Sequence, residues 1–227
     1  MGKIWSRQKW YHQGLKRIDL RVTLLYNKLT MRYGIIAEIR LFLIILIAAF
    51  AAIYIALNAT SMIAQVNYTL SNEREREAHI LPIVEIPNSI HIPKTSTIAP
   101  IVIENSDDEK VLLEALEKGV LLFPGSVDPG QNGSTVLLGH SSGFAWSEGE
   151  YKSIFALLNK LEEEDLIKVY FNNEKFVYRV SKLNILSVEK INNAVSQEGD
   201  TNTLFLSSCW PIGTDWNRII VTAKLID

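Results

Sequence analysis

The sequence predicts a mainly β domain, a compact antiparallel barrel or sandwich with helical inserts, preceded by one transmembrane helix. Three observations carry that prediction. Residues 41–63, "LFLIILIAAFAAIYIALNATSMI", hold no charge over 23 positions. Charge is segregated on either side of that stretch. From about Glu85 the chain breaks into short runs rich in Val, Ile, Phe and Tyr, bounded by Pro, Gly and Asn, as strands are.

Residues 1–40 come first. They carry nine basic side chains against two acidic ones, a local charge of +7, with Trp5, Trp10 and Tyr11 interleaved. This reads as a basic cytoplasmic tail. No nucleic-acid-binding motif accompanies the charge, so no nucleic-acid partner is expected. The opening MGKIWS fits an N-myristoylation pattern, but the apolar stretch already anchors the chain.

As a helix, residues 41–63 would span roughly 34 Å at about 1.5 Å per residue, enough for a hydrocarbon core of about 30 Å. The 40-residue polar lead is far longer than the start of a cleaved signal peptide. The segment therefore reads as an uncleaved, single-pass signal anchor. The positive flank stays inside, so the N-terminus is cytoplasmic and everything after Ile63 is outside. Residues 64–84 follow as a polar stalk, since "SNEREREAH" is dense in charge and has little to bury.

Residues 85–227 form the outer domain. From residue 66 onward there are 14 basic and 23 acidic side chains, a charge of −9. Seven runs read as strands: "SIHIPK", "APIVI", "STVLLGH", "LIKVYFN", "KFVYRVSKLNIL", "NTLFLSS" and "RIIVTAKLI". "LIKVYFNNEKFVYRV" reads as a hairpin turning at Asn172, Asn173 and Glu174. Ser106 and Glu109 have capping-box spacing ahead of "EKVLLEALEK", with Gly119 where a C-cap should be. "YKSIFALLNKL", residues 151–161, has helical apolar spacing. There is no internal repeat, no βαβ rhythm and no glycine-rich phosphate loop.

Cys209 is the only cysteine, so an internal disulfide is excluded and any thiol chemistry falls to it. No Cys/His cluster has zinc spacing. The acidic run "LEEED" matches no EF-hand loop and reads as a solvated helix end. Neither a metal nor another cofactor is expected. Activating a thiol needs the thiolate, usually with His or Arg nearby. His12 lies in the tail and His79 in the stalk. His91 alternates with Ile90 and Ile92, so it is expected to face solvent if those isoleucines face the core. His140 ends the apolar strand "TVLLG", where a strand hands over to a loop. Cys209 is placed the same way after "TLFLSS", and Arg218 opens the next strand. The residues alone leave Cys209 open between a small buried hydrophobe and a nucleophile paired with His140.

The order "IHIPK…API…GV…FPGS…PGQ…GSTVLLGHSS…TLFLSSC…R" resembles the sortases, membrane-anchored cysteine transpeptidases of the bacterial surface. The likeness covers about residues 85–227. Gly139 and His140 follow an apolar strand, Cys209 follows "LFLSS", and Arg218 lies nine residues later. The family signature T-L-x-T-C is met in part. Phe205 stands at its first threonine and Ser208 at its second. Glu164 and Asp165 stand where many members have Gly-Asp. Asp128 and Pro129 are followed by Gly130 rather than the aromatic residue of a lid motif, and no second apolar span follows. The resemblance therefore points away from the pilin-polymerising class.

What the resemblance implies is specific. The outer domain would be a closed antiparallel or mixed barrel of about eight strands with short helices. Cys209 would attack a Thr–Gly carbonyl in an LPXTG-like sorting motif, with His140 as acid and base and Arg218 on the oxyanion. Ser141, Leu206, Ser208 and Trp210 are expected to contact the peptide, Trp210 narrowing the mouth of the site. The loop 184–202 would line the groove. The partners would be sorting-signal proteins, an amine acceptor (a peptidoglycan precursor or another surface protein) and the bacterial cell membrane. Another cell-wall cysteine peptidase or an L,D-transpeptidase is the rival enzyme. The 69-residue separation and the order of His140 before Cys209 disfavour both. A catalytically inactive, membrane-tethered peptide-binding domain is the third reading, and the presence of all three polar residues disfavours it.

Overall fold

The computed structural model describes residues 36–71, 86–143, 149–191, 195–196 and 202–227. The readings of the tail over 1–35 and of the stalk over 72–84, with His12 and His79, lie outside the described residues. The chain divides into two compact units, Met1–Ile53 and Tyr54–Asp227.

Helix α1, Ile36–Leu57, is long and apolar enough to cross a membrane. It stops six residues short of the expected span because Asn58 breaks the helix. Asn58 is the N-cap of a second helix, α2, Ala59–Leu70. Residues 59–63, expected in the membrane, and residues 64–70, expected in the stalk, thus share one helix. That helix belongs to the unit that begins at Tyr54.

The rest of this unit is built on eight strands. They are β1 Ser89–Ile92, β2 Thr97–Ile103, β3 Val120–Leu122, β4 Ser134–Leu138, β5 Leu166–Phe171, β6 Glu174–Ser187, β7 Thr203–Trp210 and β8 Asn217–Leu225. They close into a barrel in the order β1-β2-β3-β4-β7-β8-β6-β5. The β2–β3 and β4–β7 pairs are parallel and the others antiparallel, so the barrel is mixed. Eight strands leave an interior that side chains just fill. Here Ile90, Ile92, Val120, Leu137, Ile167, Val169, Leu204, Leu206, Ile219 and Val221 fill it, all at most 1% exposed. Each such side chain contributes about 1.5–3 kcal/mol relative to leaving it in water.

All seven expected strands are present. The eighth, β3, is three residues long, too short for any periodicity to reveal. The hairpin β5–β6 turns at Asn172 and Asn173, both at positive φ, with Phe171 paired to Glu174. That is the type I′ geometry that Asn tolerates. Helix α3, Glu109–Leu116, is capped by Asp108, whose carboxylate accepts from Lys110 N, and not by the expected Ser106. Ser106 instead accepts from Asp108 N one step earlier. Residues 151–161 form turns and a short 3-10 segment, Leu158–Lys160, rather than the expected helix. Their apolar residues still do what the spacing implied. Phe155, Leu158 and Leu161 are core.

His91 departs from expectation. Ile90 and Ile92 do face the interior, yet His91 is 0% exposed. Its Nε2 lies 2.9 Å from Ser89 Oγ and its ring centroid 4.8 Å from that of Tyr170 on the paired strand β5. Because Ser89 Oγ donates to Ile86 O, the imidazole must donate from Nε2. Its Nδ1 is left buried with no hydrogen-bond partner.

Candidate active site

The site is assembled by strand register. In the parallel pair β4–β7, Val136 faces Phe205 and Leu138 faces Ser207. The ladder runs one residue further, with Gly139 N donating to Ser207 O at 3.1 Å. Carried two residues past the Leu138–Ser207 pair, the same register would bring His140 level with Cys209, 69 positions away in sequence. On the other side of β7, Cys209 pairs directly with Arg218 on β8. His140 lies two residues past the end of β4, Cys209 on the neighbouring β7 and Arg218 on β8, and each is partly exposed.

Side-chain alternation decides what shares their face. Val136, Leu138, Phe205, Ser207, Arg218 and Ile220 all line one groove of about 550 Å³. They stand an even number of residues from His140, Cys209 or Arg218. The groove is closed on its other side by Phe123, Val188, Ile191 and Val195. Part of the loop expected over 184–202 thus does line it. Residues 192–194 and 197–201 lie outside the described residues.

The same alternation redirects the four residues expected to contact peptide. Leu206 is 0% exposed and belongs to the barrel core. Ser208 also faces away from the groove, and its Oγ donates to Gly139 O at 2.7 Å. Trp210 is partly buried and packs against the core cluster. Ser141 is buried, and its carbonyl accepts from Ser61 Oγ at 2.8 Å. None of the four is among the residues lining the groove, and neither are His140 and Cys209, whereas Arg218 is. Reading parity outward from Cys209 would have picked Phe205 and Ser207 instead.

Local packing fixes the strand end that carries His140. Gly139 is required there, since a Cβ would fall 2.5 Å from the Phe155 ring. Phe155 N donates to His140 O at 2.9 Å. Ser208 holds the Gly139 carbonyl from the neighbouring strand. Arg218 Nη1 donates to Asp215 O at 2.9 Å and Asn217 O at 3.1 Å. Guanidinium has five N–H donors, so Arg218 retains capacity for a further acceptor.

Burial sets the protonation of the pair. It pushes the Cys209 thiol above its usual 9.0, opposed by the Arg218 charge and reinforced by Asp215. It pushes His140 below its usual 6.5, opposed by Glu117. Both shifts favour thiol with neutral imidazole as the resting form.

The acidic run is accounted for differently. Lys94 bridges Glu162 at 2.9 Å and Asp165 at 3.4 Å. Among the described residues, no group of three or more His, Cys, Asp or Glu side chains could hold a metal ion.

Known proteins share this fold. The Sortase domain family profile matches residues 90–226. Sortase D of Bacillus subtilis (strain 168) is 26% identical over 140 residues, covering 60% of this chain and 62% of that protein. Sortase A of Corynebacterium diphtheriae superposes with a TM-score of 0.51 at 25% identity, over 61% of this chain and 60% of that one. Sortase C of Streptococcus pneumoniae gives 0.51 at 22% identity, over 66% and 71%, a likeness of fold. The chain spans less than two thirds of the length of Sortase D and of the Corynebacterium Sortase A. The family match over residues 90–226 takes in nearly all of the barrel, and the chain belongs to the sortase family.

Proposed function

We propose that this chain is a cysteine transpeptidase that cleaves an LPXTG-like sorting motif and transfers the acyl fragment to an amine at the cell surface. The observation that supports the reading is that Cys209 pairs with Arg218, which lines an apolar groove, while β4, the strand His140 follows, runs parallel to β7. In the reactive form Cys209 is thiolate and His140 imidazolium. The thiolate attacks the threonyl carbonyl of the Thr–Gly bond. Arg218 donates to the oxyanion that develops there. As the tetrahedral species collapses, the C–N bond breaks and His140 gives its proton to the leaving glycine amine. A thioester remains on Cys209. The acceptor amine attacks it, His140 takes that amine's proton, and the thiolate leaves. Substrate contacts fall to groove residues such as Phe205, Ser207 and Val188.

With ordinary values of 9.0 and 6.5, about 1% of the thiol and about 24% of the imidazole would be charged at pH 7, so well under about 1% of molecules carry both. The shifts at this site make that fraction smaller still. A slow enzyme suffices when a membrane-tethered enzyme meets a membrane-tethered substrate, because tethering raises the effective concentration. The apolar helix α1 supports the membrane anchor of this reading, with the barrel outside and the N-terminus in the cytoplasm. The acceptor is a peptidoglycan precursor or another surface protein.

The test is mass spectrometry of the full chain incubated with LPXTG-like peptides and an amine. The reading expects an acyl adduct on wild type and none on Cys209→Ala. No adduct with any peptide, or an adduct that survives in Cys209→Ala, would sink it.

A further inference from the structure

Helix α2 is docked by the wrong face for an ordinary surface helix. Met62, Ile63, Val66 and Leu70 are 40–80% exposed. Asn58 and Ser61 are buried, Ser61 completely. Ser61 and Gln65, four apart, share one face of α2, with Tyr54 and Asn58 just ahead of it at the helix junction. Polar side chains are costly to bury unless they find partners, so what they bond to is informative.

Their partners are the backbone segments that carry the site. Ser61 Oγ donates to Ser141 O at 2.8 Å, one residue past His140. Gln65 Nε2 donates to Ala156 O at 2.7 Å and Asn159 Oδ1 at 3.0 Å. Ala156 follows Phe155, whose N–H holds the His140 carbonyl. Tyr54 Oη donates to Ile212 O at 3.0 Å, in the loop joining Cys209 to Arg218. The Asn58 side chain occupies the space that a side chain at Gly213 would need, and Gly213 sits at positive φ. Gly213 N in turn donates to Ser142 Oγ at 3.1 Å, tying this loop to the one after His140.

We propose that residues 54–65 form a positioning element of the catalytic site. Ser61 holds the backbone just after His140, Gln65 holds the turn beside Phe155 that bonds the His140 carbonyl, and Tyr54 and Asn58 hold the loop between the nucleophile and Arg218. The imidazole is aligned with Cys209 only while this segment is docked. The proposal rests on the transpeptidase reading above, and on its Cys209–His140 pair in particular.

The test needs no knowledge of the sorting motif. Cys209 is the only cysteine, so alkylation of the full chain by iodoacetamide reports on that thiol alone. Its rate is measured against pH in detergent, with melting temperature beside it, for wild type, His140→Ala, Ser61→Ala/Gln65→Ala and Met62→Ala/Val66→Ala. The double variant at Ser61 and Gln65 should lose about fivefold to thirtyfold in rate at pH 7, the factor that one or two buried hydrogen bonds carry. Its pH profile should converge on that of His140→Ala. Ser61→Thr/Gln65→Ala, which restores the hydroxyl, should recover part of the loss. The Met62 and Val66 pair should keep the wild-type profile. A merely structural role would lower the melting temperature and leave the profile in place, and that result would overturn the proposal. So would an equal shift in the Met62 and Val66 pair. A His140→Ala profile identical to wild type would overturn the Cys209–His140 pairing itself, and the positioning role with it.

Discussion

Replacing Ser208 by alanine should cost both stability and rate. Ser208 is 3% exposed, and its Oγ reaches Gly139 O at 2.7 Å across the β4–β7 pair. Alanine removes the donor and opens no room for water to replace it. Losing one partner of a buried hydrogen bond costs about 1–3 kcal/mol. In a domain of this size each kcal/mol moves the melting temperature by about 2–4 °C, so a drop of roughly 2–12 °C is expected. Gly139 directly precedes His140, so part of the loss should appear at the site. If about 1 kcal/mol is expressed there, the acylation rate falls about fivefold. Ser208→Thr keeps the hydroxyl and restores the residue usual in the family signature, so it should lose less than half as much. The assays are a melting curve followed by tryptophan fluorescence and acyl-adduct formation timed by mass spectrometry. Ser208→Ala melting within about 1 °C of wild type, with an unchanged rate, would refute the reasoning, since no buried donor of this kind is lost so cheaply.

Other expectations follow from the same geometry. Gly139→Ala should destabilise by about 1–3 kcal/mol through overlap with Phe155, and Phe155→Leu in the same chain should recover part of it. The Cys209 thiol should titrate above 9.0, and Arg218→Ala should raise it further while Arg218→Lys should not, as read by thiolate absorbance against pH. His91 sits buried with its pKa lowered from 6.5, first by desolvation and then by Lys168. In that window the unfolded chain binds more protons than the folded one. Stability is therefore full above the unfolded value near 6.5 and is lost as pH falls through the folded value. Melting curves at pH 8 and pH 5 should show a smaller difference for His91→Gln than for wild type, and an equal or larger difference would contradict this.

Much of the fold was legible because its signals are local. Residues 203–208 and 218–225 announce strands by composition, and two consecutive asparagines announce the β5–β6 turn. The site was legible as chemistry. One cysteine and one histidine at a strand end left few alternatives, and a nine-residue step to Arg218 matched a known spacing. What could not be read was relational. Whether His91 meets water depends on what lies over the outer face of β1, which alternation does not encode. The peptide-contact residues were drawn from sequence neighbours of Cys209, whereas the pleat sends Leu206, Ser208 and Trp210 to the opposite face. Helix α2 was hidden because its exposed apolar face resembles a continuation of the membrane span. Only the tertiary contacts of Ser61 and Gln65 show that its polar face is the docked one.

The central claim is that the β4–β7 register, carried two residues past its last pair at Leu138 and Ser207, sets His140 against Cys209. Its most direct test is His140→Cys in the full chain. Adjacent positions on paired strands lie about 5 Å apart at Cα, within the range a disulfide spans. Mild oxidation should convert the variant to a species two mass units lighter, with no thiol left to alkylate and Cys209 joined to position 140 in the peptide map. Two thiols that both remain alkylatable after oxidation of the folded variant would contradict the register, and with it the catalytic pair.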